Sequence, residues 1–431
     1  MKTSRPVKRK KTAIETIRWK RVLLIPFIVA IIAGGSIGAF YLYNQNNLAA
    51  LQKRIAQQEA ELQEYLLNNK DQLIVNAAIN EADRFGLQYD YEKAISILKS
   101  NAEIQSNDKI VGRIASYQKA MAELVAYTDM IPVLFFHNLV NDPKIAFGKT
   151  SHDPFGYKSR NVTKTEFKLI IEQMYERGYV LVNFDDVYTI SNGTYLRREV
   201  KLPVGKKPFV LTVDEVAYPD PMPLDGFARG MVIRDGKILS RVLVSDGVDY
   251  VDDGDVVPII EKFLEEHPDF SYKGARGLLS LTGYAGTLGY RLLSTEEVNE
   301  AKALAEQLLE RGWIFGCTSY ADIESVYAED ADPVKIAADL KKWDQKIQPI
   351  VGNTAYFINP SGYRLTGKSL AAIRNSGYDT YFTVANQTSL AVSEGMVFVS
   401  RIMIGGSAFT ENKAYLEANF FDVESILDPA R

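Results

Sequence analysis

Apolar positions along this chain change their spacing three times, and each change predicts a different kind of element. Residues 22–43 form one apolar run without a charged side chain. As a helix rising about 1.5 Å per residue it would extend about 33 Å, enough to cross a bilayer core. From residue 44 to 69 the chain is polar, with Leu48, Leu51, Ile55, Leu62 and Leu66 at helical spacing and no Gly or Pro, which predicts an amphipathic helix. Helical spacing persists through 71–127. There, residues 80–98 read as one helix pair of tetratricopeptide type parted at Gly86, a unit suited to spacing or to docking a protein partner.

At Ile131-Pro-Val-Leu-Phe-Phe-His137 the period shortens to that of a buried strand. Downstream, strand-like runs at 179–183, 209–213, 277–282, 313–315, 356–358 and 381–384 alternate with helical stretches at 166–178, 256–266, 295–311, 333–347 and 367–375. This alternation predicts parallel strands covered by helices, as a barrel or a doubly wound sheet. An insertion at 217–255 interrupts it. Asp235-Gly236 between alternating runs predicts a β-hairpin there, and because the insertion leaves from the end of a strand it is expected to lie over the mouth of the sheet. The chain thus divides into a basic tail (1–21), an apolar span (22–43), a helical region (44–128) and an α/β domain (129–431).

Charge adds an orientation. The net charge is only −4, but residues 1–21 hold nine Lys or Arg against one Glu, so the remainder is acidic. A basic flank before an apolar span predicts a single-pass membrane protein with a cytoplasmic N-terminus and an extracellular C-terminal domain. A short basic tail of this kind is not a nucleic-acid-binding domain. The single cysteine, Cys317, excludes an intramolecular disulfide and, flanked by apolar residues, is expected in the core.

Two segments carry candidate chemistry. Leu211-Thr-Val-Asp-Glu-Val216 ends an apolar strand in adjacent carboxylates, Asp214 and Glu215, one suited to ligating a metal and the other to taking a proton from water. Gly312-Trp-Ile-Phe-Gly-Cys-Thr-Ser-Tyr-Ala-Asp-Ile323 supplies Thr318 and Asp322 four residues apart.

From about residue 132 onward the chain resembles the polysaccharide deacetylase (NodB-homology) family. The family's T-F-D-D motif corresponds to Thr212–Glu215. Its G-x-x-x-x-x-H-T-x-x-H motif corresponds to 312–322, where Thr318 and Asp322 replace both histidines. Asn359-Pro360-Ser-Gly-Tyr363 occupies the place of the family's substrate loop, and His137 matches the Y-H of the related P-V-L-x-Y-H opening. No histidine follows His267, so the family's acid histidine is missing as well; His152 and His267 are read as structural. The segments 283–291, 152–157 and 420–431 look like a variant branch found in Gram-positive bacteria.

This resemblance implies a distorted (β/α) barrel of about seven strands. It implies Asp214 as catalytic base if the chain is active, and Glu215 and Asp322 as metal ligands. An all-oxygen set would shift preference from zinc toward magnesium, calcium or manganese, and leaves open which ion binds and whether one binds at all. The function expected is a membrane-anchored, extracellular deacetylase-like protein that binds N-acetylated cell-envelope glycan, or a protein partner, with deacetylase activity lost. The alternatives are an active deacetylase or esterase on an envelope polysaccharide, and a scaffolding protein acting through residues 71–127.

Overall fold

The computed structural model describes residues 48–191 and 194–431. It comprises two compact units, one reaching to Ala77 and the other running from Ala78 to Arg431. In the first unit, helix Leu48–Asn68 realises the amphipathic stripe predicted for that stretch.

The membrane placement needs correction. The expected span, 22–43, lies outside the described residues, and among the described residues no helix is long and apolar enough to cross a membrane. The single-pass localisation is therefore not retained.

Seven parallel strands form the second unit's centre: β1 (Val133–Phe136), β2 (Lys207–Val213), β3 (Gly277–Leu281), β4 (Trp313–Cys317), β5 (Tyr356–Ile358), β6 (Thr380–Val384) and β7 (Met396–Met403). Each pairs with the next, and β7 returns to β1 through Ile402 opposite Leu134, so the sheet closes into a barrel. Strand Tyr179–Leu181 pairs with the start of β2 outside this ring, and Leu390–Ser393 runs antiparallel along β7.

Alternation along the strands sorts side chains into two layers. Leu134, Leu211, Leu279, Phe315 and Phe357 pack with helix residues such as Phe167, Ile260, Leu304 and Trp343. The alternate positions Val133, Val210, Leu278, Ile358, Phe382 and Val399 form the interior cluster. Continuing the same alternation toward the C-terminal ends, the inward series turns polar, through Thr212 and Asp214 on β2, Ser280 on β3, Thr318 after β4 and Arg401 on β7. Apolar packing fills the lower barrel and leaves a polar layer at the mouth.

In the stretch read as a helix pair, Lys70–Gly86 is followed by Tyr91–Lys99, capped by the Asp90 carboxylate. A Cβ on Gly86 would come within 2.6 Å of the Tyr117 ring, so glycine allows the following helix, Asp108–Ala122, to pack there. Residues 78–122 belong to the same compact unit as the barrel, whereas the predicted boundary lay near 128. The Tyr89 hydroxyl donates to the Asp269 carbonyl (2.8 Å) and Lys273 N–H to the Gln88 carbonyl (2.8 Å), interactions between segments about 180 residues apart.

The insertion folds as a three-stranded antiparallel sheet, Ala228–Arg234, Lys237–Val244 and Gly247–Val251, turning at Asp235-Gly236 with φ of 48° and 73°. The insertion's first residues and the inner end of its sheet stay at the mouth, where Met231 N–H donates to the Leu288 carbonyl (3.3 Å) and Arg241 to the Gly289 carbonyl (2.7 Å), but the sheet does not extend over it. Near the turn, the Gly236 carbonyl accepts from Arg311 (2.5 Å) and Lys237 pairs with Glu265 (3.9 Å), at the ends of helices that lead away from the mouth. The sheet runs down the barrel's flank, where its apolar residues gain more burial than they would across an open rim.

Candidate functional site

At the mouth, the end of β2 places Asp214 inside the barrel, 6% exposed. The Arg401 guanidinium on β7, 1% exposed, meets it with two charge-assisted bonds, Nη1 to Oδ1 at 2.6 Å and Nη2 to Oδ2 at 2.8 Å. Arg401 Nη1 also donates to the Thr212 hydroxyl (3.0 Å), and its guanidinium lies 4.4 Å from the centre of the Phe135 ring. The Ser280 hydroxyl donates to Asp214 Oδ1 (3.1 Å) and accepts from Thr318 (2.6 Å). Thr318, at the first family histidine position, is thus a buried member of a hydrogen-bonded chain ending on Asp214.

Glu215 and Asp322 stand at the edge of this layer in left-handed backbone, φ 58° and 54°, as do their loop neighbours Tyr218 and Ser319. Such conformations cost a non-glycine residue about 1–3 kcal/mol and persist only where the surroundings impose them. In the second loop the Asp339 carboxylate does so, accepting from Tyr320 N–H (2.8 Å), Ala321 N–H (2.9 Å) and the Tyr327 hydroxyl (2.8 Å). Burial, followed by the charges of Glu215 and Asp214, pushes the Asp322 carboxyl up to about 8. When protonated, Asp322 can donate a hydrogen bond as well as accept one. The Tyr284 hydroxyl, on the loop after β3, is raised by its partial burial and then by the Asp322 and Glu215 carboxyls.

The remaining predicted residues divide. His137 follows β1 at the mouth; its ring lies 5.6 Å from Phe135 and its buried Nδ1 has no partner. Asn359 is buried and committed to its own turn. Its Nδ2 donates to the Tyr363 carbonyl (2.9 Å) and the Tyr381 hydroxyl (2.5 Å), and its Oδ1 accepts from Ser361 N–H (2.8 Å). Pro360 lies inside that turn, and Tyr363 is exposed. Cys317 is buried and burial raises its thiol, consistent with a core position. Sequence reasoning missed Arg401 together with the strand that carries it. The available signal was Met396-Val-Phe-Val-Ser-Arg-Ile-Met403, an apolar run interrupted by one cation.

A zinc-type metal centre does not fit these residues. Both oxygens of Asp214 are engaged by a fixed cation, Thr318 is bonded to Ser280, and no histidine is present at either family position. Among the described residues no group of three or more His, Cys, Asp or Glu side chains is placed to hold a metal ion.

No protein-family model matches this chain, and no curated protein sequence does. Among solved structures it is similar to the Streptococcus pyogenes deacetylase PplD in complex with acetate, at 16% identity and a TM-score of 0.38, over 68% of this chain and 98% of that one. It is also similar to a de-N-acetylase from Aggregatibacter actinomycetemcomitans (12% identity, TM-score 0.39, covering 67% and 99%). A third similar structure is IcaB from Ammonifex degensii (14% identity, TM-score 0.37, covering 67% and 97%).

Proposed function

We propose that this barrel is a divergent deacetylase-type domain that binds an N-acetylated glycan at its mouth without metal-dependent hydrolysis. The observation that carries this reading is the Arg401–Asp214 pair. Both oxygens of this carboxylate are committed to a buried guanidinium, which places a fixed cation where a metal ion would have to sit. The groups left at the mouth suit recognition. Asp322, its carboxyl raised by burial, offers a donor when protonated, Glu215 offers acceptors, and the exposed rings of Tyr284 and Tyr363 offer apolar faces beside polar hydroxyls.

The competing reading, a hydrolase working through oxygen-ligated metal, makes the opposite prediction about acetate. The purified chain is incubated with N-acetylglucosamine oligomers, with and without added divalent ions, and both binding and acetate release are followed. Binding without acetate release is expected under all conditions. Metal-dependent release that disappears in Asp214→Asn would refute the proposal.

A further inference from the structure

Two loops of the mouth outside the Asp214 site meet in a second built cluster. The segment after β1 carries His152 and the segment after β2 carries Asp225. The loops are fastened to each other by Asn141 N–H and Asp142 N–H donating to the Gly226 carbonyl, at 2.8 and 3.0 Å. Asp225 is 2% exposed, yet one oxygen accepts from His152 N–H (3.2 Å) and the Tyr157 hydroxyl (3.0 Å), while the other accepts from His152 Nδ1 (2.9 Å). Beneath them Tyr157, Phe227, Val140 and Ala146 form a small separate core. The cluster therefore rests on a rigid base.

The buried carboxylate selects the imidazole's tautomer. An ionised carboxylate only accepts, so Nδ1 carries the proton, and in the neutral ring Nε2 is left as an acceptor. The His152 side chain is 57% exposed, which presents that acceptor to solvent in a fixed orientation. Fastening the two loops would need only the backbone N–H and Tyr157, which share the other oxygen.

The same two loops carry two large apolar side chains without cover. Phe155, three residues after His152, is 86% exposed, and Leu224, adjacent to Asp225, is 66% exposed. An exposed aromatic face three residues from a fixed acceptor suits a pyranose ring, which has a C–H face and hydroxyls at its edge.

We propose that His152 and Phe155, held by Asp225, form an outer subsite that binds one pyranose ring of a longer N-acetylated glycan. His152 Nε2 accepts from a ring hydroxyl and Phe155 stacks on the ring's face. This rests on the glycan reading of the mouth, because an outer subsite has a role only if the chain continues from an inner one.

The test compares N-acetylglucosamine dimer with hexamer by titration calorimetry on the whole chain, using wild type, His152→Ala, His152→Gln, Phe155→Ala and Phe155→Trp. Hexamer affinity is expected to fall about 10-fold in either alanine variant and to recover in His152→Gln and Phe155→Trp, with dimer affinity unchanged throughout. Phe155 is exposed, so its variants report on binding without disturbing the fold. Equal hexamer binding by wild type and both alanine variants would overturn the subsite and leave the glycan reading standing. Equal loss of dimer and hexamer binding would also overturn it. If wild type binds neither oligomer, both proposals fall.

Discussion

Arg401, near the end of the last barrel strand, is joined by two hydrogen bonds of 2.6 and 2.8 Å to Asp214, at the end of the second, 187 residues earlier in the chain. The pair crosses the barrel's closing seam, since β7 reaches β2 through β1. Within the pair, Arg401 places a guanidinium in the polar layer beside a carboxylate, so the two charges offset each other.

Breaking this pair is expected to be costly. Arg401→Met leaves Asp214 charged and buried without compensation and should destabilise the fold by about 3–5 kcal/mol, measured by urea unfolding. The double variant Asp214→Leu/Arg401→Met removes both charges and should recover part of that loss. A single variant as stable as wild type would contradict the burial and pairing described.

Asp322 should make stability depend on pH in a defined direction. Its carboxyl is raised from 3.8 to about 8, by burial first and then by Glu215 and Asp214. The folded state therefore keeps a proton that the unfolded chain has released, and stability falls as pH rises through this window. Asp322→Asn abolishes the dependence. Its melting temperature should match wild type near pH 4 and exceed it near pH 9.

Ser280 links Thr318 to Asp214, accepting from one and donating to the other. Ser280→Ala leaves the buried Thr318 hydroxyl without its acceptor and should cost about 1–3 kcal/mol. Thermal unfolding of Ser280→Ala, compared with Ser280→Ala/Thr318→Val, tests the link: the second change should add little, because the hydroxyl it removes is already unsatisfied.

Asp339 holds the loop that bears Asp322 through three donors. Asp339→Ala should cost about 1–3 kcal/mol. It should also release the left-handed residues Ser319 and Asp322, visible as faster amide hydrogen exchange across 318–327 with the barrel strands still protected. Unchanged exchange in this loop would show that other contacts impose its conformation.

The sequence by itself determined the order of elements. Strands with buried apolar runs and helices with a stripe every three to four residues announce themselves through local period, and the Asp235-Gly236 hairpin through turn chemistry, because those signals are carried by neighbours along the chain. Motif spacing brought out Asp214 and Glu215, directly after a strand, and Asp322, in the loop that follows another. Ring closure, the insertion's place on the flank and the attachment of residues 78–122 to the barrel depended on contacts between distant segments, such as Tyr89 with Asp269. Arg401 shows why the site's electrostatics followed the same rule. Within its strand a single arginine reads as a break in an apolar run, and only barrel closure, which brings β7 against β1 and within reach of β2, makes it the counter-charge of Asp214. The surroundings of a buried carboxylate are set by the groups near it in space, and for Asp214 the guanidinium that faces it comes from the far end of the chain.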